Sequence, residues 1–153
     1  MKKMNNKGFS MVELIIVIAI MAILAAALAP ALIKYINKSR LSTDISTGTS
    51  IASAIQTALS NESAYDDCTD VTTQPFGSGT FSGDMATEVS ATIDPSKCVV
   101  KSKKDMNGDA IQSTNFIVTV KPTTNEVTVW IGAANSDRIV SPSVAKCLTE
   151  KTN

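Results

Sequence analysis

Few side chains in this 153-residue chain have the type and spacing to do chemistry. Glu13 is a lone carboxylate at the head of an otherwise apolar run, "NKGFSMVELIIVIAI". Leaving such a charge unpaired in hydrocarbon costs about 2.5–3.5 kcal/mol even on the lenient insertion scale, so Glu13 calls for a partner. Cys68, Cys98 and Cys147 could supply one disulfide in an oxidising compartment, with one thiol left over; all three pairings are open. Their spacing matches no zinc pattern. Asp105, Asn107 and Asp109 alternate in "DMNGD" like the opening of a calcium loop, but the twelfth position of that loop falls on Phe116, which cannot ligate. A plain hairpin turn is the better reading there. The chain has no histidine, which removes the commonest general base and metal ligand. It also has no phosphate-binding glycine loop and no nucleophile beside a base. These observations predict no enzyme, no catalytic residue, no metal and no cofactor.

The elements that carry these residues fall into two parts. Residues 14–33 are apolar throughout, and at about 1.5 Å per residue a helix of this length crosses the roughly 30 Å of a bilayer's hydrocarbon. Lys2, Lys3 and Lys7 precede the run without an accompanying acid, which predicts a cytoplasmic amino terminus and an exported body. The whole chain is formally neutral, so without those three lysines the body is mildly acidic and has no electrostatic reason to bind nucleic acid. From about Ser39 onward there is room for one small domain. An ordinary secretory signal peptide would explain the basic start and the small residues Ala27 and Ala29. Against it, Glu13 interrupts the apolar core, Pro30 would follow the cut, and the apolar pattern continues through Ala31, Leu32 and Ile33.

The stretch "KGFSMVELIIVIAIMAILAAALAP" resembles the amino terminus of the type IV pilins and of their relatives, the pseudopilins of type II secretion and competence systems. The resemblance covers roughly residues 7–45. It implies a prepilin peptidase that cuts after Gly8 on the cytoplasmic face and methylates the new amino terminus at Phe9, with the family's glutamate at Glu13 and its helix proline at Pro30. The cut would create a positive amine on Phe9, four residues from Glu13 and on the same helical face. Within one chain or between stacked chains, that amine can pair with the carboxylate and so set axial register. Ala22 stands where relatives often have a glycine, and alanine is the better helix former by about 1 kcal/mol. Pro30 still predicts a kink or break over residues 26–30.

Beyond Lys34 the pattern becomes amphipathic. Leu41, Ile45, Gly48, Ala52, Ile55 and Leu59 form one helical stripe, with Lys38, Arg40, Ser42, Asp44, Ser50 and Gln56 assigned to the opposite face. One helix is therefore expected from Phe9 to about Ser60. Residues 61–83 read as a long loop tacked down by Tyr65, Phe76 and Phe81, and residues 84–93 as a short helix or a strand. "KCVVKSKK", "NFIVTVK" and "EVTVWIG" read as strands, joined by an Asn107-Gly108 hairpin and by the turn "PTTN". Phe116, Val118, Val120, Val127, Val129 and Ile131 alternate as the covered face, leaving Trp130 partly exposed. The tail would cross back over the sheet on Ile139, Val140, Val144 and Leu148.

The expected fold is α+β, a long helix packed on a small antiparallel sheet. Its parts are a leader (1–8), a hydrophobic transmembrane and polymerisation helix (9–33), an amphipathic half (34–60) and a head (61–153). The resemblance implies a pilus subunit, or else a minor pilin or pseudopilin. Its implied partners are copies of itself, the prepilin peptidase, an inner-membrane platform protein and an assembly ATPase. It would be a single-pass membrane precursor first and part of an extracellular fibre later, serving motility, adhesion, biofilm formation or DNA uptake. Family members often close the terminal region with a disulfide, which implies a pair between Cys147 and Cys68 or Cys98.

Overall fold

The computed structural model describes residues 9–77, 79–132 and 136–149, without the side chains of Thr72, Ser136, Lys146 and Cys147. The leader, including Gly8, lies outside the described residues. The chain divides into two units, Met1–Ile36 and Asn37–Asn153. A single helix, α1 (Met11–Ala58), begins in the first and ends in the second. It runs uninterrupted through Pro30, so of the expected kink or break at residues 26–30 the break is absent. Proline lacks only the amide hydrogen that would bond the Ala26 carbonyl, and the good helix formers Ala25, Ala26, Ala27, Leu28 and Ala29 precede it.

In the second unit α1 is followed by α2 (Glu62–Asp67), β1 (Val71–Pro75), α3 (Gly83–Thr92), β2 (Phe116–Lys121), β3 (Glu126–Ile131), β4 (Ile139–Ser141) and α4 (Lys146–Thr149). The strands form one antiparallel sheet in the order β1-β2-β3-β4. Phe116 pairs with Ile131, Val118 with Val129 and Val120 with Val127, which puts all six expected inward residues on one buried face. Trp130, in the other register, is half-buried, and the turn between β2 and β3 closes on left-handed Asn125.

The helical stripe is buried against this face, joined by Ile51, Ala54 and Ala58. Gly48 marks the closest approach: a Cβ there would lie 2.9 Å from Val140 Cγ1 and 3.3 Å from Phe116 Cε1. A larger residue would push the sheet away.

Several expectations need correction. Residues 61–83 are not one loop. Asn61 caps α2 by accepting the Ser63 amide at 3.1 Å and donates to Glu88 Oε1 at 2.9 Å, while Ala64 is buried. Val71 then opens an edge strand, bulged at Thr73. The same Asn, Ser and Asp composition that suggested a loop supplies helix caps. Residues 84–93 form the helical alternative, α3. The segment "KCVVKSKK" is not a strand and makes only isolated bridges, Val99 with Asn115 and Lys104 with Ala110. Its Lys101 and Ser102 amides are taken by a carboxylate instead of a ladder. The turn after it is not a two-residue hairpin: Gly108 has positive φ but Asn107 does not, and the loop is organised by Asp105 Oδ1, which accepts the amides of Asn107, Gly108 and Asp109 at 3.0 Å each. The tail does not cross the sheet. Its Ile139 and Ser141 pair with β3, so it extends the sheet by one strand, with Val140 and Leu148 buried and Val144 exposed.

Candidate functional site

In the first unit, none of the large apolar side chains of α1 is buried: from Met11 to Ile36 they all face outward. The helix is long and apolar enough to cross a membrane. Its start is built by two reciprocal hydrogen bonds. Val12 N–H donates to Ser10 Oγ at 3.3 Å, Ser10 N–H donates to Glu13 Oε2 at 2.9 Å, and the first helical bond runs from Leu14 N–H to the Ser10 carbonyl at 3.2 Å. This is a capping box, Ser-x-x-Glu, which satisfies amides that a helix end leaves free and places a negative charge at the positive end of the helix dipole. The sequence signal for it, Ser10 three residues before Glu13, was present and was overlooked. Phe9 precedes the cap and is 86% exposed. The capping bond uses Oε2 and, among the described residues, no bond to Oε1 is seen. A cation brought near Phe9 can use it.

In the second unit the functional surprise is Asp44. Assigned to the polar face, it is instead 1% exposed. It accepts the Lys101 amide at 2.9 and 3.1 Å, the Ser102 amide at 2.7 Å and the Ser102 hydroxyl in a very short bond. Position 44 follows Leu41 by three and precedes Gly48 by four, so it belongs to the buried stripe by helical geometry. A second buried acid, Asp105, forms an ion pair with Arg138 at 3.2 Å beside its three amide bonds. These two carboxylates hold the 101–109 segment.

Cys68 and Cys98 are not paired with each other. Cys68 and Cys98 are free thiols, donating to the Thr69 carbonyl at 3.6 Å and the Asp94 carbonyl at 3.3 Å. Burial pushes both thiols above their ordinary range, reinforced by the charges of Asp70 and Asp94 respectively. The Cys147 side chain lies outside the described residues. Asp94 itself is held down to about 2, chiefly by the Ser96 hydroxyl and then by Lys97.

Residues 3–29 match the family model described as the prokaryotic N-terminal methylation motif. No curated protein and no solved structure matches the chain. The motif is the hallmark of the type IV pilins and pseudopilins, so the chain carries that family's amino terminus ahead of an α+β body. The motif with its apolar helix fits a membrane-anchored precursor.

Proposed function

We propose that this chain is a structural subunit of a type IV pilus. The observation that carries the reading is the methylation motif leading directly into an apolar helix whose large apolar side chains are exposed from Met11 to Ile36 and whose single acid is Glu13. Residues 1–8 are the leader, cut after Gly8 by a prepilin peptidase that methylates Phe9. Residues 9–33 hold the precursor in the membrane, amino terminus inside, until assembly exchanges lipid for packing against neighbouring helices. The new Phe9 amine then finds the Glu13 carboxylate, of which the cap uses Oε2, and the pairing sets register along the fibre. Pro30 sits within the same helix. Copies of the chain, an inner-membrane platform protein and a cytoplasmic ATPase are the partners, and the fibre serves motility, adhesion, biofilm formation or DNA uptake. The neighbouring reading, a minor pilin or pseudopilin, shares every amino-terminal feature.

Two measurements test this. Mass spectrometry of the amino-terminal peptide from cells is expected to find methylated Phe9; a chain that keeps Met1 or begins near Pro30 refutes the proposal. Shearing is expected to release the chain as the bulk of long fibres, and trace recovery would assign it to the minor pilin or pseudopilin class.

A further inference from the structure

Five basic residues of the second unit gather near its start. Asn37 Nδ2 donates to the Lys104 carbonyl at 3.1 Å, and Asp44 holds the Lys101 and Ser102 amides. The "KSKK" segment therefore lies along the turns of α1 that carry Lys38 and Arg40. All five cations, Lys38, Arg40, Lys101, Lys103 and Lys104, are exposed, and among the described residues none makes an ion pair. The nearby acids do little to neutralise them. Asp44 is buried beneath the segment, Asp105 is paired with Arg138, and Asp109 and Asp137 are the exposed exceptions. The opposite charge collects elsewhere: Glu62, Asp66, Asp67, Asp84 and Glu88 lie on α2 and α3, which are tied to the far end of α1 by the Asn61–Glu88 hydrogen bond.

Covalent connectivity says which surface the basic end meets. Asn37 is four residues past Ile33, so the chain cannot carry it more than about 14 Å from the apolar run. We propose that Lys38, Arg40, Lys101, Lys103 and Lys104 form a docking surface for the anionic phospholipid headgroups of the membrane leaflet on the body's side. This rests on the membrane-held precursor proposed above. Removing the leader takes away Lys2, Lys3 and Lys7, so this cluster and Lys34 then carry the cations flanking the apolar run. The surface steadies the waiting subunit, and extraction into a fibre releases it.

The test inserts the full chain into vesicles of pure phosphatidylcholine and into vesicles with about a third phosphatidylglycerol, then follows acylation of each lysine by a membrane-impermeant amine reagent. On anionic vesicles Lys38, Lys101, Lys103 and Lys104 are expected to react about fivefold more slowly than on neutral ones, with Lys121 unchanged as internal control. About 1 M salt, where the Debye length is about 3 Å, is expected to erase the difference. Replacing the exposed trio by Lys101→Gln, Lys103→Gln and Lys104→Gln is expected to remove most of the protection at Lys38. Equal rates in both vesicles, for a chain that floats with both, overturn this inference alone. Failure to float with either overturns the membrane reading and this inference with it. Protection on neutral vesicles that grows with the protein-to-lipid ratio assigns the patch to a second copy and also overturns it.

Discussion

Asp44→Ala is the most informative single perturbation of the second unit. The carboxylate is 1% exposed and answers three donors, two of them on Ser102, a residue 4% exposed. Water can replace the bond to exposed Lys101, but the Ser102 amide and hydroxyl would be stranded. At about 1–3 kcal/mol for each stranded donor the loss is about 2–6 kcal/mol, a large share of the roughly 5–15 kcal/mol that stabilises a small domain. Trp130, the chain's one tryptophan, sits in β3, so its fluorescence reports unfolding of this unit in the full-length protein in detergent. With a urea slope of about 1–2 kcal/mol per molar, a mid-range loss of about 4 kcal/mol lowers the midpoint by about 2–4 M. Ser102→Ala alone is expected to cost less, about 1 kcal/mol, and the double variant less than the sum of the two, since removing both partners leaves fewer donors stranded. A midpoint shift under about 0.5 M for Asp44→Ala, or strict additivity in the cycle, would refute the reasoning.

Other consequences follow from the same geometry. Gly48→Val should destabilise the unit by about 1–3 kcal/mol by forcing α1 away from Val140 and Phe116, read from the same urea transition. Asp94 should titrate near 2 in a carbon NMR pH series; because its folded value is depressed, its contribution is complete above pH 4 and disappears as pH falls from about 4 to about 2. A midpoint near the ordinary 3.8 would contradict the Ser96 and Lys97 contacts. Cys98 should resist iodoacetamide at pH 8 in the native protein and react on unfolding, because burial keeps the thiol protonated. Glu13→Ala should impair fibre assembly while leaving the chain inserted in the membrane, as measured by sheared fibre yield against membrane content; undiminished fibre yield would remove Glu13 from register setting.

How far the sequence was legible depends on the range over which each decision is made. The apolar run, the amphipathic stripe from Leu41 to Leu59 and the alternation in β2 and β3 are periodic signals that a short window contains, and α1 and the central hairpin appear where those periods place them. The Ser10–Glu13 cap is equally local, legible in the three-residue spacing of Ser10 and Glu13 and not in the charge of Glu13 alone. Asp44 shows the limit. Its position on the buried face could be counted, but its tolerance there could not, because the groups that satisfy it lie 57 and 58 residues away. The same long-range bonds explain why "KCVVKSKK", with acceptable strand composition, is no strand: its amides found a carboxylate before a neighbouring strand.

By itself the sequence determined the character of the amino terminus. A methylation motif, a membrane-length apolar run and one acid four residues past Phe9 are covalent facts that no packing can alter. Tertiary structure alone decided which charges became structural and which remained available. It buried Asp44 and Asp105 as anchors of the 101–109 segment and, by drawing that segment along the start of the second unit, left its lysines exposed beside Lys38 and Arg40. The physical reason is that a charge's cost or use is set by its neighbours in space, and those neighbours exist only once the chain has folded.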